Sequence, residues 1–153
     1  MTITQNQTGV LPSAYGTLYR NSGNYTGESF SFTTSYQELA SFGTGSWTLA
    51  TPVSNFIMSP DGRLKYVGAE TRYFLAEAYF VTTNAGGNFS IAIYKNGVLV
   101  SGAESWMSAA STISILPYPM GTLSTNDYIS LYGKRSAGLS TGIVQMYLTI
   151  KSV

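Results

Sequence analysis

The 153-residue chain contains no cysteine and no histidine. Without cysteine there is no disulfide framework, thiolate metal site or thiol nucleophile. Without histidine the commonest general base, the commonest transition-metal ligand and the usual switch near neutral pH are missing. Charge is scarce as well. Eight Lys and Arg stand against seven Asp and Glu, leaving +1, and 10% of residues are charged, where about a quarter is typical. Phosphate backbones require a basic stripe, so nucleic acid is not an expected partner. No run of about 18 apolar residues occurs, so a membrane-spanning helix and a membrane partner are not expected either. Residues 1–7 have neither a basic segment nor an apolar run, so no signal peptide is expected, and synthesis in the cytoplasm is.

What is present is apolar and aromatic: 44% hydrophobic residues and 14% Phe, Trp and Tyr, which excludes a disordered chain. At this length a single domain buries roughly two-thirds of its unfolded surface. No stretch of a dozen residues carries a helical stripe, and only residues 35–40, around Tyr36-Gln37-Glu38-Leu39, permit a short helical turn. The remainder alternates with the period of two expected of strands. Phe30 and Phe32 share a face. Trp47-Thr48-Leu49 and Phe56-Ile57-Met58 read as short strands, and Asp61-Gly62 reads as a two-residue hairpin turn into Leu64–Val67. Thr71–Thr83 is the longest candidate. Asn88–Lys95, the Asn96-Gly97 turn and Val98–Val100 form a second hairpin. Further strands are expected at Thr112–Leu116, Asp127–Gly133 and Ile143–Ile150. Pro117 and Pro119 confine the chain between the first two to a loop or a sheet edge. At least eight short strands with regular turns predict an all-β sandwich, a jelly roll first and an immunoglobulin-like sandwich second.

Residues 1–27 differ from residues 28–153. They are polar, with one apolar cluster at Val10, Leu11, Tyr15, Leu18 and Tyr19, too small to build a core. A disordered tail is one reading. An extended arm that lays these residues on a neighbouring protein is the preferred reading, because it employs the tyrosines. The jelly-roll domain then spans residues 28–153.

The strands of that domain are apolar on both faces. Phe74, Phe80, Phe89, Ile91, Ile93, Ile129, Leu131, Val144, Met146, Leu148 and Ile150 make the expected core face. The opposite face presents Tyr73, Leu75, Tyr79, Val81, Tyr94, Tyr128, Tyr132 and Tyr147. Tyrosine combines an apolar body with a polar tip and suits a surface that is wet before assembly and dry afterwards. Tyr is also a good strand former at exposed positions, so no single one decides the matter. Taken together, Tyr73, Leu75, Tyr79, Tyr94, Tyr132 and Tyr147 are the expected subunit interface. Glu77, on the same face, pairs with Arg72, pairs with a neighbouring subunit or lies at a solvated rim.

Catalytic arrangements fail on residue type. Ser-His-Asp and Cys-His chemistry cannot be built. The acidic residues Glu28, Glu38, Asp61, Glu70, Glu77, Glu104 and Asp127 show no local pairing of the kind glycosidases need. No calcium loop or phosphate loop is present, and Asn126-Asp127 reads as a turn. No enzyme activity, metal or cofactor is expected. Trp47 and Trp106 are either core residues or platforms for sugar rings.

Five segments together resemble a family of phage virion proteins. They are Tyr15-Gly16-Thr17-Leu18-Tyr19; the stretch Gly62-Arg63-Leu64 to Thr71-Arg72-Tyr73-Phe74; Lys95-Asn96-Gly97; Leu123-Ser124-Thr125-Asn126-Asp127-Tyr128-Ile129; and the closing hydrophobic strand. Asn126-Asp127 stands where that pattern has Gly-Asp. The family is similar to tumour-necrosis-factor-like jelly rolls, which assemble as trimers with the closing strand near the threefold axis. The resemblance implies a virion structural role, with Gln145 and Tyr147 facing partner subunits. The expected function is a homotrimeric decoration or cement protein on a bacteriophage capsid surface, made in the host cytoplasm and bound to the major capsid protein. The absence of any coiled-coil or fibrous stretch and the N-terminal arm favour this over a fibre. The alternative is a receptor-binding knob of a head or tail fibre, with loops at Gly43–Trp47 and Ser101–Ala110 recognising a host glycan or protein.

Overall fold

The computed structural model describes residues 13–21, 28–39, 47–82, 88–108, 112–136 and 140–153. Among them, strands dominate and no α-helix occurs. One sheet, sheet A, runs in the order β10 (Thr112–Leu123), β7 (Arg72–Thr82), β12 (Ser140–Ser152), β1 (Tyr15–Asn21) and β4 (Thr48–Leu49). In addition, β2 (Glu28–Ser31) pairs with the beginning of β12. Sheet B runs β5 (Phe56–Met58), β6 (Leu64–Tyr66), β11 (Tyr128–Arg135), β8 (Asn88–Lys95) and β9 (Val98–Ser108), with β3 (Gln37–Glu38) also on β11. All pairings are antiparallel. The expected all-β jelly-roll sandwich is the observed architecture.

Alternation builds the core. In β7, Phe74, Ala76, Ala78 and Phe80 turn inward, while Tyr73, Glu77 and Tyr79 turn out. Phe89, Ile91, Ile93, Ile129, Leu131, Met146, Leu148 and Ile150 are all at most 2% exposed. Each such side chain contributes about 1.5–3 kcal/mol by leaving water. Between the sheets, Phe56, Tyr66 and Phe74 interlock with ring centroids 5.1–5.6 Å apart. The fully buried Tyr66 satisfies its hydroxyl by donating to the Glu70 carbonyl at 2.7 Å. Phe30 and Phe32 are buried on one face, as expected.

The two turn motifs behave differently. Asn96 (φ 51°) and Gly97 (φ 77°) are both left-handed, the requirement of a two-residue type I′ hairpin, and join β8 to β9 with Lys95 opposite Val98. At Asp61-Gly62 only Gly62 is left-handed (φ 76°). The Gly62 amide donates to the Ser59 carbonyl and the Ser59 amide to the Arg63 carbonyl, both at 2.9 Å. The loop therefore has three residues, Pro60 to Gly62, because Pro60 sets a type I turn and Gly62 completes a bulge.

Four other expectations are corrected. The helical turn at residues 35–40 is replaced by β3, whose Gln37 and Glu38 pair with Gly133 and Tyr132. Glu38 accepts two hydrogen bonds from the Arg63 guanidinium at 2.7 and 2.8 Å, and Leu39 is fully buried, so tertiary contacts override a weak local preference. Strict alternation along β12 puts Val144 in the core and Ile143 outside. A bulge between Ile143 and Gln145 reverses them, leaving Ile143 2% exposed and Val144 half-buried. The strand expected to end at Leu116 continues as β10 to Leu123, and both prolines lie on a sheet edge, one of the two placements expected for them. It tolerates them as an edge strand with two register shifts.

The fourth correction concerns the arm. Tyr15, Leu18 and Tyr19 belong to β1, which pairs with β12 from Tyr15 opposite Lys151 to Asn21 opposite Gln145, and with β4 through Tyr19 and Leu18. Leu18 is 1% exposed and sits in the core. A segment hydrogen-bonded on both sides is a structural part of the sandwich, so residues 15–21 join the domain rather than an arm. Val10 and Leu11 lie outside the described residues.

Candidate interaction surfaces

The outer face of sheet A carries an aromatic row. Register places Tyr19 of β1 opposite Tyr147 of β12, and Tyr147 opposite Tyr79 of β7. Their ring centroids lie 6.2 and 6.1 Å apart. Thr17 and Thr149 form the next rung and share a 3.0 Å hydroxyl hydrogen bond. Tyr73 and Tyr79 remain 46% and 40% exposed, and Leu75, Val81 and Gln145 lie half-buried around them. Glu77 is exposed on this face, while Arg72 pairs with Glu70 at 3.4 Å.

Tyr94 and Tyr132 are elsewhere. They sit on β8 and β11, in sheet B, and their rings stack at 3.7 Å. Tyr36 packs on Tyr94 at 6.0 Å, and its hydroxyl donates to Glu104 at 2.8 Å. Ala92 and Ser130 point outward on these strands, yet are 0% and 2% exposed, because the tyrosines cover them. Burial pushes the Tyr94 and Tyr132 hydroxyls above the ordinary phenol range. Burial, followed by the Glu104 carboxylate, does the same to Tyr36. The seven expected interface residues therefore divide, five on sheet A and two on sheet B. The sheet B pair is engaged with its own sheet.

The two tryptophans also separate. Trp47 is 6% exposed and belongs to the core, whereas Trp106 is 70% exposed on β9. Trp106 stands opposite Ser90 of β8, and Ser90 stands opposite Lys134 of β11. A cleft of about 230 Å³ opens over this rung. Of the recognition loops expected at Gly43–Trp47 and Ser101–Ala110, residues 43–46 and 109–110 lie outside the described residues. Ser101 to Ser108 form strand, not loop.

At the far end of sheet B, the Asp127 carboxylate accepts from the Ser124 amide at 2.9 Å and from Asn96 Nδ2 at 2.8 Å, with Lys95 3.4 Å away. Burial alone raises the Asp127 pKa. These hydrogen bonds and Lys95 outweigh it and hold the carboxyl below its usual range. Asn126 is left-handed (φ 78°), a conformation asparagine accepts where the related pattern has glycine. The segment is a stapled turn, as expected.

Solved structures share this two-sheet fold. Eiger TNF from S. frugiperda superposes with a TM-score of 0.65 over 94% of each chain at 9% identity. Murine APRIL superposes with a TM-score of 0.59 over 91% of this chain and 99% of its own at 11% identity. The fold is a tumour-necrosis-factor-like jelly roll. No protein-family model and no curated protein matches the chain by sequence. Sequence reasoning singled out most of the sheet A row, including the closing strand. It missed the role of Tyr36 as a cover over sheet B, and it placed Tyr19 in the arm. The alternation of Tyr15, Thr17 and Tyr19 with Gly16 and Leu18 is the signal that identifies β1.

Proposed function

We propose that this chain is a non-enzymatic assembly module, a homotrimer joined through the outer face of sheet A, that decorates and stabilises a bacteriophage capsid shell. The observation that supports the trimer is the row of Tyr19, Tyr147 and Tyr79, with exposed Tyr73 beside it. Amphipathic rings on three adjacent strands of one sheet offer apolar area at low cost in side-chain entropy. The tumour-necrosis-factor-like fold is compatible with that use of the sheet. The virion role rests on the sequence resemblance, and the partner is then the major capsid protein. With Tyr15, Leu18 and Tyr19 in the sandwich, the shell-contacting role falls to Val10 and Leu11. The mechanism is mass action: a partner that binds only the assembled shell stabilises each site by about 2.7 kcal/mol at a hundredfold excess over Kd.

The test is copy number in purified virions, measured by quantitative mass spectrometry against the shell protein, with sedimentation of the isolated chain. Hundreds of copies in simple ratio to the lattice, and a mass three times 16.5 kDa, are the expected results. A few copies per particle would reject the shell location. The exposure of Trp106 favours that second reading, a receptor-binding knob. Absence from virions would reject both.

A further inference from the structure

We infer that the cleft over Trp106 on the outer face of sheet B is a saccharide site, and that it takes a pyranose bearing an anionic substituent. This inference is independent of the subunit interface, which lies on the other sheet. One rung of three strands builds the site: Trp106 on β9, Ser90 on β8 and Lys134 on β11. Adjacent strands are separated by about 4.8 Å, so Trp106 and Lys134 stand about 10 Å apart with a small residue between them. That spacing makes a notch with an indole on one side, an ammonium on the other and a serine floor. Its volume, about 230 Å³, is below the roughly 300–1,000 Å³ of pockets for drug-sized ligands. It suits a single sugar ring.

The walls match sugar chemistry. Trp106 is 70% exposed, an uncovered flat apolar surface on which the C–H face of a pyranose stacks. Asn88, Ser90 and Ser136 line the notch with amide and hydroxyl groups for ring hydroxyls. Beside the notch, Tyr36 packs under Lys134. The Lys134 ammonium lies 4.0 Å from the centre of its ring, which holds the charge at the wall instead of letting it trail into solvent. Arg135 lines the same cleft, and no carboxylate is among the lining residues described. Glu104 stands one rung along β9 on the same face as Trp106, where its carboxylate accepts the Tyr36 hydroxyl. A positive wall facing a stacking platform selects a carboxylated or otherwise anionic sugar over a neutral one.

The test titrates the full chain with D-glucuronic acid, N-acetylneuraminic acid and D-glucose. It follows tryptophan emission, which reports Trp106 because Trp47 is buried, and saturation-transfer NMR. At least one of the two acids is expected to bind with a dissociation constant of about 1 mM, glucose about threefold or more weaker. Trp106→Ala should abolish binding while the melting temperature stays within about 2 °C of the parent. Lys134→Gln should remove the preference for the acid. Ser90→Leu, which fills the floor and leaves the indole in place, should also abolish binding. No saccharide signal, an unchanged signal in Trp106→Ala and Ser90→Leu, or glucose binding as well as the acids would overturn the assignment. Emission that shifts with protein concentration alone, or on adding oligo-deoxythymidylate but no sugar, would overturn it in favour of self-association or of nucleic acid.

Discussion

Replacing Tyr79 with alanine tests which face of the sandwich joins subunits. Tyr79 is 40% exposed in the single chain. An aromatic side chain offers about 200 Å² in all, so about 80 Å² stays wet until a partner covers it. At about 25 cal/mol per Å², covering it contributes about 2 kcal/mol per subunit. Three copies per trimer give about 6 kcal/mol, or roughly 10⁴ in the trimer dissociation constant. The cost inside one subunit is much smaller. There the Tyr79 ring meets Tyr147 at 6.1 Å, a cross-strand pair of about 0.2–1 kcal/mol. For the proposed trimer, sedimentation velocity over a dilution series should therefore show the variant as a folded monomer at concentrations where the parent associates. Tyr94→Ala is the matched control. It removes a 3.7 Å stack on sheet B, so it should lower folding stability and leave association unchanged. Parent-like association in Tyr79→Ala, or weakened association in Tyr94→Ala, refutes the assignment of sheet A.

Other expectations concern the fold itself. Trp47→Ala should lower stability by about 3–5 kcal/mol, whereas Trp106→Ala should change it by less than about 0.5 kcal/mol. Urea titration separates the two, and acrylamide should quench only Trp106. Gly68→Ala brings a Cβ against the ring and hydroxyl of the locked Tyr66. It should cost about 1–3 kcal/mol, read as a lowered melting temperature. For pH, the Ser59 hydroxyl chiefly holds Asp61 low, and the turn holds Asp127 low. Their contribution is complete above the unfolded carboxylate value of about 3.9 and is lost as pH falls through the folded values. Tyr36, Tyr94 and Tyr132 are raised, so their contribution is complete below about pH 10 and is lost above it. With no histidine, the urea midpoint should be nearly flat from about pH 5 to 9. Asp127→Asn should make the acid limb shallower, and an unchanged limb would argue against the staple.

Much of this was readable from residue order. Strand β8 and its Asn96-Gly97 turn carry local chemistry that permits few alternatives: a period of two, then two residues that accept left-handed backbone. The bulge at Val144 was not readable, because an inserted residue keeps the composition of a strand while reversing its faces. The strand nature of β1 was hidden by polar neighbours. A segment with few apolar residues reads as a tail until its hydrogen-bonding partners on both sides are known.

By itself, the sequence determined the all-β class, the absence of histidine and cysteine chemistry, and which side chains point the same way wherever a strand runs without a bulge. Those properties depend on residue type and on the period-two geometry of a strand. Only the tertiary structure decided that Tyr19, Tyr147 and Tyr79 form one row while Tyr94 and Tyr132 cover the opposite sheet. It alone set Trp106 and Lys134 on either side of Ser90 and buried Trp47. Alternation specifies inside and outside within a strand. Which sheet a strand enters is settled by pairing between residues more than a hundred positions apart, as between Tyr19 and Tyr147, and no local pattern encodes that choice.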